Sequence, residues 1–162
     1  MRWSQMYNDN LNNIVIRRIK NEDGLRAVYI IEQMSFNNPY SFELLSILSN
    51  LHYETFLLAE IDHRIIGYIM FIIQRNYLGH IISIAIDPLY RRSGIASKLM
   101  EAAEDHLKKK GILVLRLEAR VSNLIARKFY LKLGFKNGYI IPNYYTNGES
   151  ALVMFKLLKQ EK

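Results

Sequence analysis

Apolar and polar positions along the chain switch between periods of two and about three and a half, and the switches outline a mixed α/β order. Ile14–Ile19 alternates as a short strand. From Glu22 to Met34 the apolar residues Leu25, Val28, Tyr29 and Ile31 recur at helical spacing, with Glu32 a polar interruption on that face. Phe36-Asn37-Asn38-Pro39-Tyr40 reads as a loop, because Asn-Asn-Pro disfavours helix on both sides. Ser41 then reads as an N-cap for a short helix carrying Phe42, Leu44, Leu45 and Leu48.

Two strands follow, Thr55–Ile61 and Ile65–Gln74, joined through Asp62-His63-Arg64. After Tyr77-Leu78-Gly79, the β-branched run His80–Ile86 is a strand closed by Asp87-Pro88. A helix from Gly94 to Lys110 places Ile95, Leu99, Ala102, Ala103 and Leu107 on one face and ends in three lysines and Gly111. Ile112–Glu118 is the next strand. Ala126, Phe129, Tyr130 and Leu133 mark a helix stopped at Gly134, and Tyr139–Ile141 and Ala151–Leu158 are terminal strands. The predicted order is β-α-α-β-β-β-α-β-α-β-β, one α/β domain over residues 1–162, with 1–13 a flexible lead-in.

Composition narrows the chemistry. The chain of 162 residues has no cysteine, which excludes disulfides, thiolate metal sites and cysteine nucleophiles. His52, His63 and His106 lack metal-ligand spacing, so no metal is expected. The longest apolar run, Ile65–Ile73, is interrupted by Gly67 and is too short to span a bilayer, and residues 1–10 hold no signal-peptide core. We therefore expect a cytoplasmic protein with no membrane partner. A net charge of +7 suits a polyanion or a phosphorylated cofactor, and equally a solvated basic face.

The most informative stretch is Tyr90-Arg91-Arg92-Ser93-Gly94-Ile95-Ala96, between a strand and a long helix. Unpaired N–H groups and a positive dipole at a helix start suit an anion. Gly94 and Ala96 let a diphosphate approach the main chain, and the arginines add charge and bidentate bonding. The pattern lacks the Gly-Lys-Ser/Thr ending of a P-loop and the spacing of the dinucleotide fingerprint. A helix start that binds nothing can carry the same residues.

Arg91-x-x-Gly94-x-Ala96 resembles the acetyl-CoA motif of the GNAT superfamily, and the likeness continues downstream. Leu117-Glu118-Ala119-Arg120, Ser122-Asn123, Ala126, Phe129-Tyr130 and Leu133-Gly134-Phe135 look like the family's next strand–helix–strand unit. Tyr144-Tyr145, Gly148-Glu149 and Ala151–Met154 look like the tail of its protein N-terminal acetyltransferases. The closest groups are the RimI-type ribosomal-protein alanine acetyltransferases and NatA-type catalytic subunits with their archaeal relatives; His80–Ile86 looks especially like the NatA type.

That resemblance implies a GNAT fold, a mixed sheet of about seven strands and four helices with a splayed parallel pair, His80–Ile86 and Ile112–Glu118. It implies direct transfer of acetyl from acetyl-CoA, with CoA as product, to the α-amine of a protein N-terminus through a tetrahedral intermediate. Main-chain groups across Ile84, Ala85 and Ile86 would bond the pantetheine. Arg91, Arg92, Ser93, Gly94, Ile95, Ala96 and Ser97 would hold the pyrophosphate, and Asn123 would face the cofactor. Glu118 matches the base, acting directly or through water, and Tyr130 the proton donor to the leaving thiolate. An ion pair of Glu118 with Arg116 or Arg120, and a half-buried structural role for Tyr130, are the readings without that match. Phe36, Pro39, Tyr40, Tyr144 and Tyr145 look like the residues that hold a peptide N-terminus, with Glu32 a second acidic candidate and His80 either at the acceptor or structural.

One departure stands out. The NatA type favours Leu-Pro-Glu in the first loop, whereas Asn37-Asn38-Pro39-Tyr40 is nearer the RimI pattern, so the preferred N-terminal residue stays open. Expected partners are protein N-termini, ribosomal or nascent chains among them, for a monomer or weak homodimer. Transfer to an internal lysine or a small amine is the alternative. A non-catalytic ribosome- or RNA-binding module is the weaker one, since no RNA-binding motif accompanies the basic charge.

Overall fold

A computed structural model of the chain describes residues 13–20 and 22–159. The expected lead-in, apart from Asn13, lies outside the described residues. Among these, the elements follow the order read from the sequence: β1 Val15–Arg18, α1 Glu22–Ser35, α2 Phe42–Leu51, β2 Phe56–Ile61, β3 Arg64–Gln74, β4 Leu78–Ile86, α3 Ile95–Lys109, β5 Val114–Arg120, α4 Leu124–Lys132, β6 Lys136–Ile141 and β7 Ala151–Leu157. The seven strands form one mixed sheet in the order β1-β2-β3-β4-β5-β7-β6. Only β4 and β5 pair in parallel in the registers observed; β1–β2, β2–β3, β5–β7 and β6–β7 are antiparallel.

Contacts divide the chain into two compact units, with β3 and β4 contributing to both. The first comprises the chain up to Phe71 and Ser83–Ala103. Of the stripe read from periodicity, α1 buries Leu25, Val28 and Ile31 and leaves Tyr29 half-buried, and Glu32 is buried with them. Ser41 caps α2 as expected, its hydroxyl accepting the Leu44 N–H at 3.2 Å. Asp62 and His63 both have positive φ, 46° and 63°, so a two-residue primed turn joins β2 to β3 and Arg64 is already in the strand. The core holds Phe56, Leu58, Ile66, Ile69, Met70, Phe71 and Leu99, each contributing about 1.5–3 kcal/mol on burial. Gly67 permits the approach of β3 to β4: a Cβ there would lie 2.6 Å from Ile86 Cδ1 and 3.1 Å from the Ala85 carbonyl oxygen.

The second unit comprises Ile72–Ile82 and the chain from Glu104 onward. β4 starts at Leu78, two residues before the expected His80, after a turn in which Arg75 and Asn76 take φ of 52° and 59°. β5 starts at Val114, two residues later than expected, because the Ile112 N–H closes the end of α3 on the Leu107 carbonyl. It therefore runs past Glu118 to Arg120, and Glu118 lies inside the strand. Along β5, Leu115, Leu117 and Ala119 are buried, which turns Arg116, Glu118 and Arg120 to the opposite face. β5 pairs with β7 along its whole length, Val114↔Leu157 to Arg120↔Ala151. The parallel ladder with β4 covers only Leu78↔Val114, Gly79↔Leu115 and His80↔Arg116, a short pairing that suits a splayed pair.

Candidate functional site

In the first unit, β4 ends at Ile86 and the chain turns through Pro88–Tyr90 into α3. Asp87 organises that turn: its carboxylate accepts the Leu89 N–H at 3.0 Å and pairs with Arg64 at 3.2 Å, while the Arg64 guanidinium sits 5.4 Å from the Tyr90 ring. The Ser93 hydroxyl donates back to the Tyr90 carbonyl. Arg92 and Gly94 take left-handed φ of 61° and 81°, and a Cβ on Gly94 would meet nothing within 4 Å. The ladder of α3 opens with Lys98 N–H to the Gly94 carbonyl at 3.1 Å, so the amides of Ile95, Ala96 and Ser97 precede it. Ile95 is buried beneath them, and Arg92 is exposed. Amides at a positive helix end, open space over a glycine and an exposed guanidinium fit the diphosphate of acetyl-CoA.

Arg91 behaves differently from its neighbour. Its Nε donates to the Ile86 carbonyl at 3.0 Å and its Nη2 to the Ser35 hydroxyl at 3.0 Å, tying the anion loop to β4 and to the last residue of α1.

One turn earlier on α1, Glu32 is 1% exposed. Oε1 accepts the Tyr68 hydroxyl and the Ser83 hydroxyl, the latter at 3.2 Å, and Oε2 accepts the Tyr40 N–H at 3.2 Å. Tyr68 and Ser83 are themselves 2.8 Å apart. Burial first, then the Glu32 carboxylate, raises the Tyr68 hydroxyl well above its usual range. Of the other residues expected at the acceptor, Phe36 is exposed and Pro39 and Tyr40 are half-buried. Ile84 is half-buried, whereas Ala85 and Ile86 are buried.

In the second unit, His80 and Glu118 come together because β4 sets His80 opposite Arg116 and Glu118 follows on the same face. His80 Nε2 and Glu118 Oε2 are 2.5 Å apart, and Arg116 holds the other oxygen at 2.5 Å. His80 Nδ1 is buried and finds no hydrogen-bond partner among the described residues. Burial pushes the Glu118 carboxyl up, but the bonds and charges of His80 and Arg116 outweigh it and leave the group below its ordinary value. The ion pair with Arg116 named as the structural reading is thus present, together with the histidine contact. Arg120 goes elsewhere, to Glu149 at 2.8 Å.

Tyr144 and Tyr145 stack edge to face with centroids 5.1 Å apart. The Arg120 guanidinium lies 3.9 Å over the Tyr145 ring, and Glu149 accepts the Ser122 hydroxyl at 2.5 Å and its N–H at 3.1 Å. Burial and then Glu118 raise the Tyr144 hydroxyl. Tyr145 is pushed to about 12, mainly by burial. Tyr130, on α4, reaches about 12 by burial and then Tyr145. Among the expected residues, His80, Glu118, Tyr130, Tyr144 and Tyr145 therefore form one electrostatic neighbourhood. Asn123 caps α4, its carbonyl oxygen accepting the Ala126 N–H at 3.0 Å, which occupies its oxygen and not its amide nitrogen.

Sequence reasoning left out Tyr68, Ser83 and Ser35 as partners in these networks. No short-range signal marks them, since Tyr68 and Ser83 meet Glu32 across 36 and 51 residues.

A family model described as the acetyltransferase (GNAT) family matches residues 25–135. A putative ribosomal protein bS18-alanine N-acetyltransferase of Bacillus subtilis (strain 168) is 36% identical over 149 residues, covering 90% of this chain and 96% of that protein. The crystal structure of Ard1 from Thermoplasma volcanium superposes with a TM-score of 0.87 at 28% identity, over 91% of this chain and 99% of that one. A chain of the NatC complex bound to Gag peptide and CoA gives 0.80 at 26% identity, over 91% and 99%.

Proposed function

Given that the chain belongs to the acetyltransferase (GNAT) family, we propose that it is a protein N-terminal acetyltransferase that moves acetyl from acetyl-CoA to the α-amine of a protein or peptide. Its acceptors would be ribosomal or nascent chains met in the cytoplasm, as the similarity to a ribosomal protein bS18-alanine N-acetyltransferase suggests. No helix among the described residues is long and apolar enough to cross a membrane.

Acetyl-CoA, bound, supplies an activated acetyl thioester. Arg92, Ser93, Gly94 and the amides of Ile95, Ala96 and Ser97 would hold its diphosphate, while Arg91 braces that loop on Ile86 and Ser35. The main chain of β4 from Ile84 through Ala85 to Ile86, beyond the last parallel pair at His80, would bond the pantetheine. A donor near Ile84 there would steady charge on the thioester oxygen. Asn123 would turn its free amide nitrogen toward the cofactor. In the first unit the residues proposed for the acceptor's first residues are Phe36, Pro39 and Tyr40; in the second unit they are Tyr144, Tyr145 and His80.

The carrying observation is the state of Glu118. A carboxylate held below its ordinary value by His80 and Arg116 is a weak base. It suits an α-amine, with a reference pKa of about 8 and partly neutral at pH 7, better than a lysine near about 10.4. His80, bonded to Glu118 at Nε2, can relay the proton. Tyr130, held at about 12, keeps its proton at working pH and acts as hydrogen-bond donor to the departing thiolate. Complete proton transfer to a thiolate of reference pKa about 8.5 would run uphill.

The test is acetyl transfer to a panel of peptides, each with a free and a blocked N-terminus. Reaction of free N-termini alone, with the first residues setting the rate, is the expected result. Equal reaction of blocked peptides carrying lysine would move the acceptor assignment to side-chain amines, and transfer only to small amines would remove peptides altogether.

A further inference from the structure

Glu32 sits where a helical stripe should be apolar, and burying a carboxylate costs free energy unless each oxygen is satisfied. Here each is. Tyr68 has a single hydroxyl proton and gives it to Glu32 Oε1, so in its 2.8 Å contact with Ser83 the serine donates, sharing its proton between Tyr68 and Glu32. The opposite oxygen receives the main-chain N–H of Tyr40. All three donors are neutral, two come from adjacent strands, and the third comes from the loop after α1. Tyr68 itself is fully buried against Phe56, with ring centroids 5.7 Å apart, and does not reach solvent.

We infer that Glu32 is a positioning residue that works through Tyr68 and Ser83, anchoring the main chain at Tyr40 and so holding the loop Phe36–Tyr40 for the acceptor. The inference rests on the proposed peptide acceptor only for its functional consequence; the anchor itself is a property of the first unit. An ammonium ligand would need an oxygen open to solvent, whereas this carboxylate lies closed between strand hydroxyls and a loop amide. The same turn of α1 ends at Ser35, which Arg91 grips, so the loop leaves a helix end tied on two sides.

Glutamine is a poor test of this group. Its amide nitrogen can face the hydroxyl pair, whose oxygens also accept, while its oxygen keeps the Tyr40 N–H. Leucine keeps the bulk and removes both acceptors. Tyr68→Phe removes one hydroxyl from a position no peptide can touch.

Two measurements decide it on the full chain: hydrogen exchange of the Tyr40 amide, and steady-state kinetics with a free-N-terminus peptide and acetyl-CoA varied in turn. In Glu32→Leu we expect Tyr40 exchange to quicken about tenfold or more and the peptide KM to rise about tenfold, with the acetyl-CoA KM within about twofold. Tyr68→Phe should shift both readouts the same way by less. Unchanged Tyr40 exchange in Glu32→Leu would overturn the anchor. A peptide KM raised by Glu32→Leu beside a Tyr68→Phe enzyme identical to the parent would mean direct amine contact, and would overturn it too. Should no peptide react with the parent, the acceptor reading fails, and the exchange arm still decides the anchor.

Discussion

Two carboxylates organise the two units, and their surroundings differ in kind. Glu32, itself buried, is met by two hydroxyls and a main-chain amide, all neutral. Glu118 is met by a histidine and an arginine on a strand face that stays partly open. Neutral donors of fixed geometry hold a carboxylate as a structural post. A guanidinium instead lowers its affinity for a proton, and a histidine beside it offers a second site for one. On the roles proposed here, the same side chain serves position in one unit and chemistry in the other, and what decides between them is the charge of the donors it meets.

The contrast breaks or sharpens under substitution, and the largest effect is expected at Glu118. Glu118→Gln keeps the shape and removes the charge, so kcat should fall about 10²–10⁴-fold with the acetyl-CoA KM nearly unchanged. An enzyme that kept its kcat here and lost it in Glu32→Gln would reverse the two roles. Next comes the anion loop. Reversing charge with Arg91→Glu and Arg92→Glu together should raise the acetyl-CoA KM about 10–100-fold, since losing the charge-assisted bond proposed for Arg92 costs about 1.5–3 kcal/mol and the Arg91 brace of the loop goes with it. Unaltered cofactor binding would remove that loop from the site.

A smaller change is expected for Tyr130→Phe, about tenfold in kcat, with the alkaline limb of the pH profile unmoved because the hydroxyl titrates only near about 12. A limb that shifts in the variant would make Tyr130 a titrating acid and not a fixed donor.

The smallest effect belongs to Glu149, whose pKa of about 2 reflects Ser122 first and Arg120 next. Because its folded value lies below the ordinary 4.5, its stabilisation is complete above that value and is lost as pH falls from 4.5 toward about 2. Across that window the melting temperature of Glu149→Gln should fall slightly less than the parent's. Parallel curves would mean that the Arg120–Glu149 brace adds nothing measurable, as exposed ion pairs often do.

Much of this molecule is written locally. Leu25, Val28 and Ile31 marked α1, Ser41 marked the start of α2, and Arg91 to Ala96 marked an anion loop, because each signal lies within one or two turns of chain. Glu118, Tyr130 and the tyrosine pair were found through likeness to a family and not through their own neighbours. The errors were also local in kind. Ile112 and Leu113 look like strand, yet the Ile112 amide finishes α3. His80 looks like the start of β4, yet Leu78 and Gly79 already belong to it and Arg75 and Asn76 make the turn. Periodicity reports side-chain burial, and it does not report which main-chain groups are already bonded.

By itself, then, the chain determined the order of its elements and a helix start suited to an anion, since short-range sterics, capping and dipoles act between neighbours in sequence. Whether Glu32 was a flaw in a helix or a post for a loop was decided only in three dimensions. Its partners lie on other elements, 36 and 51 residues away for the two hydroxyls, and a buried charge is stable or ruinous according to the donors that folding brings to it.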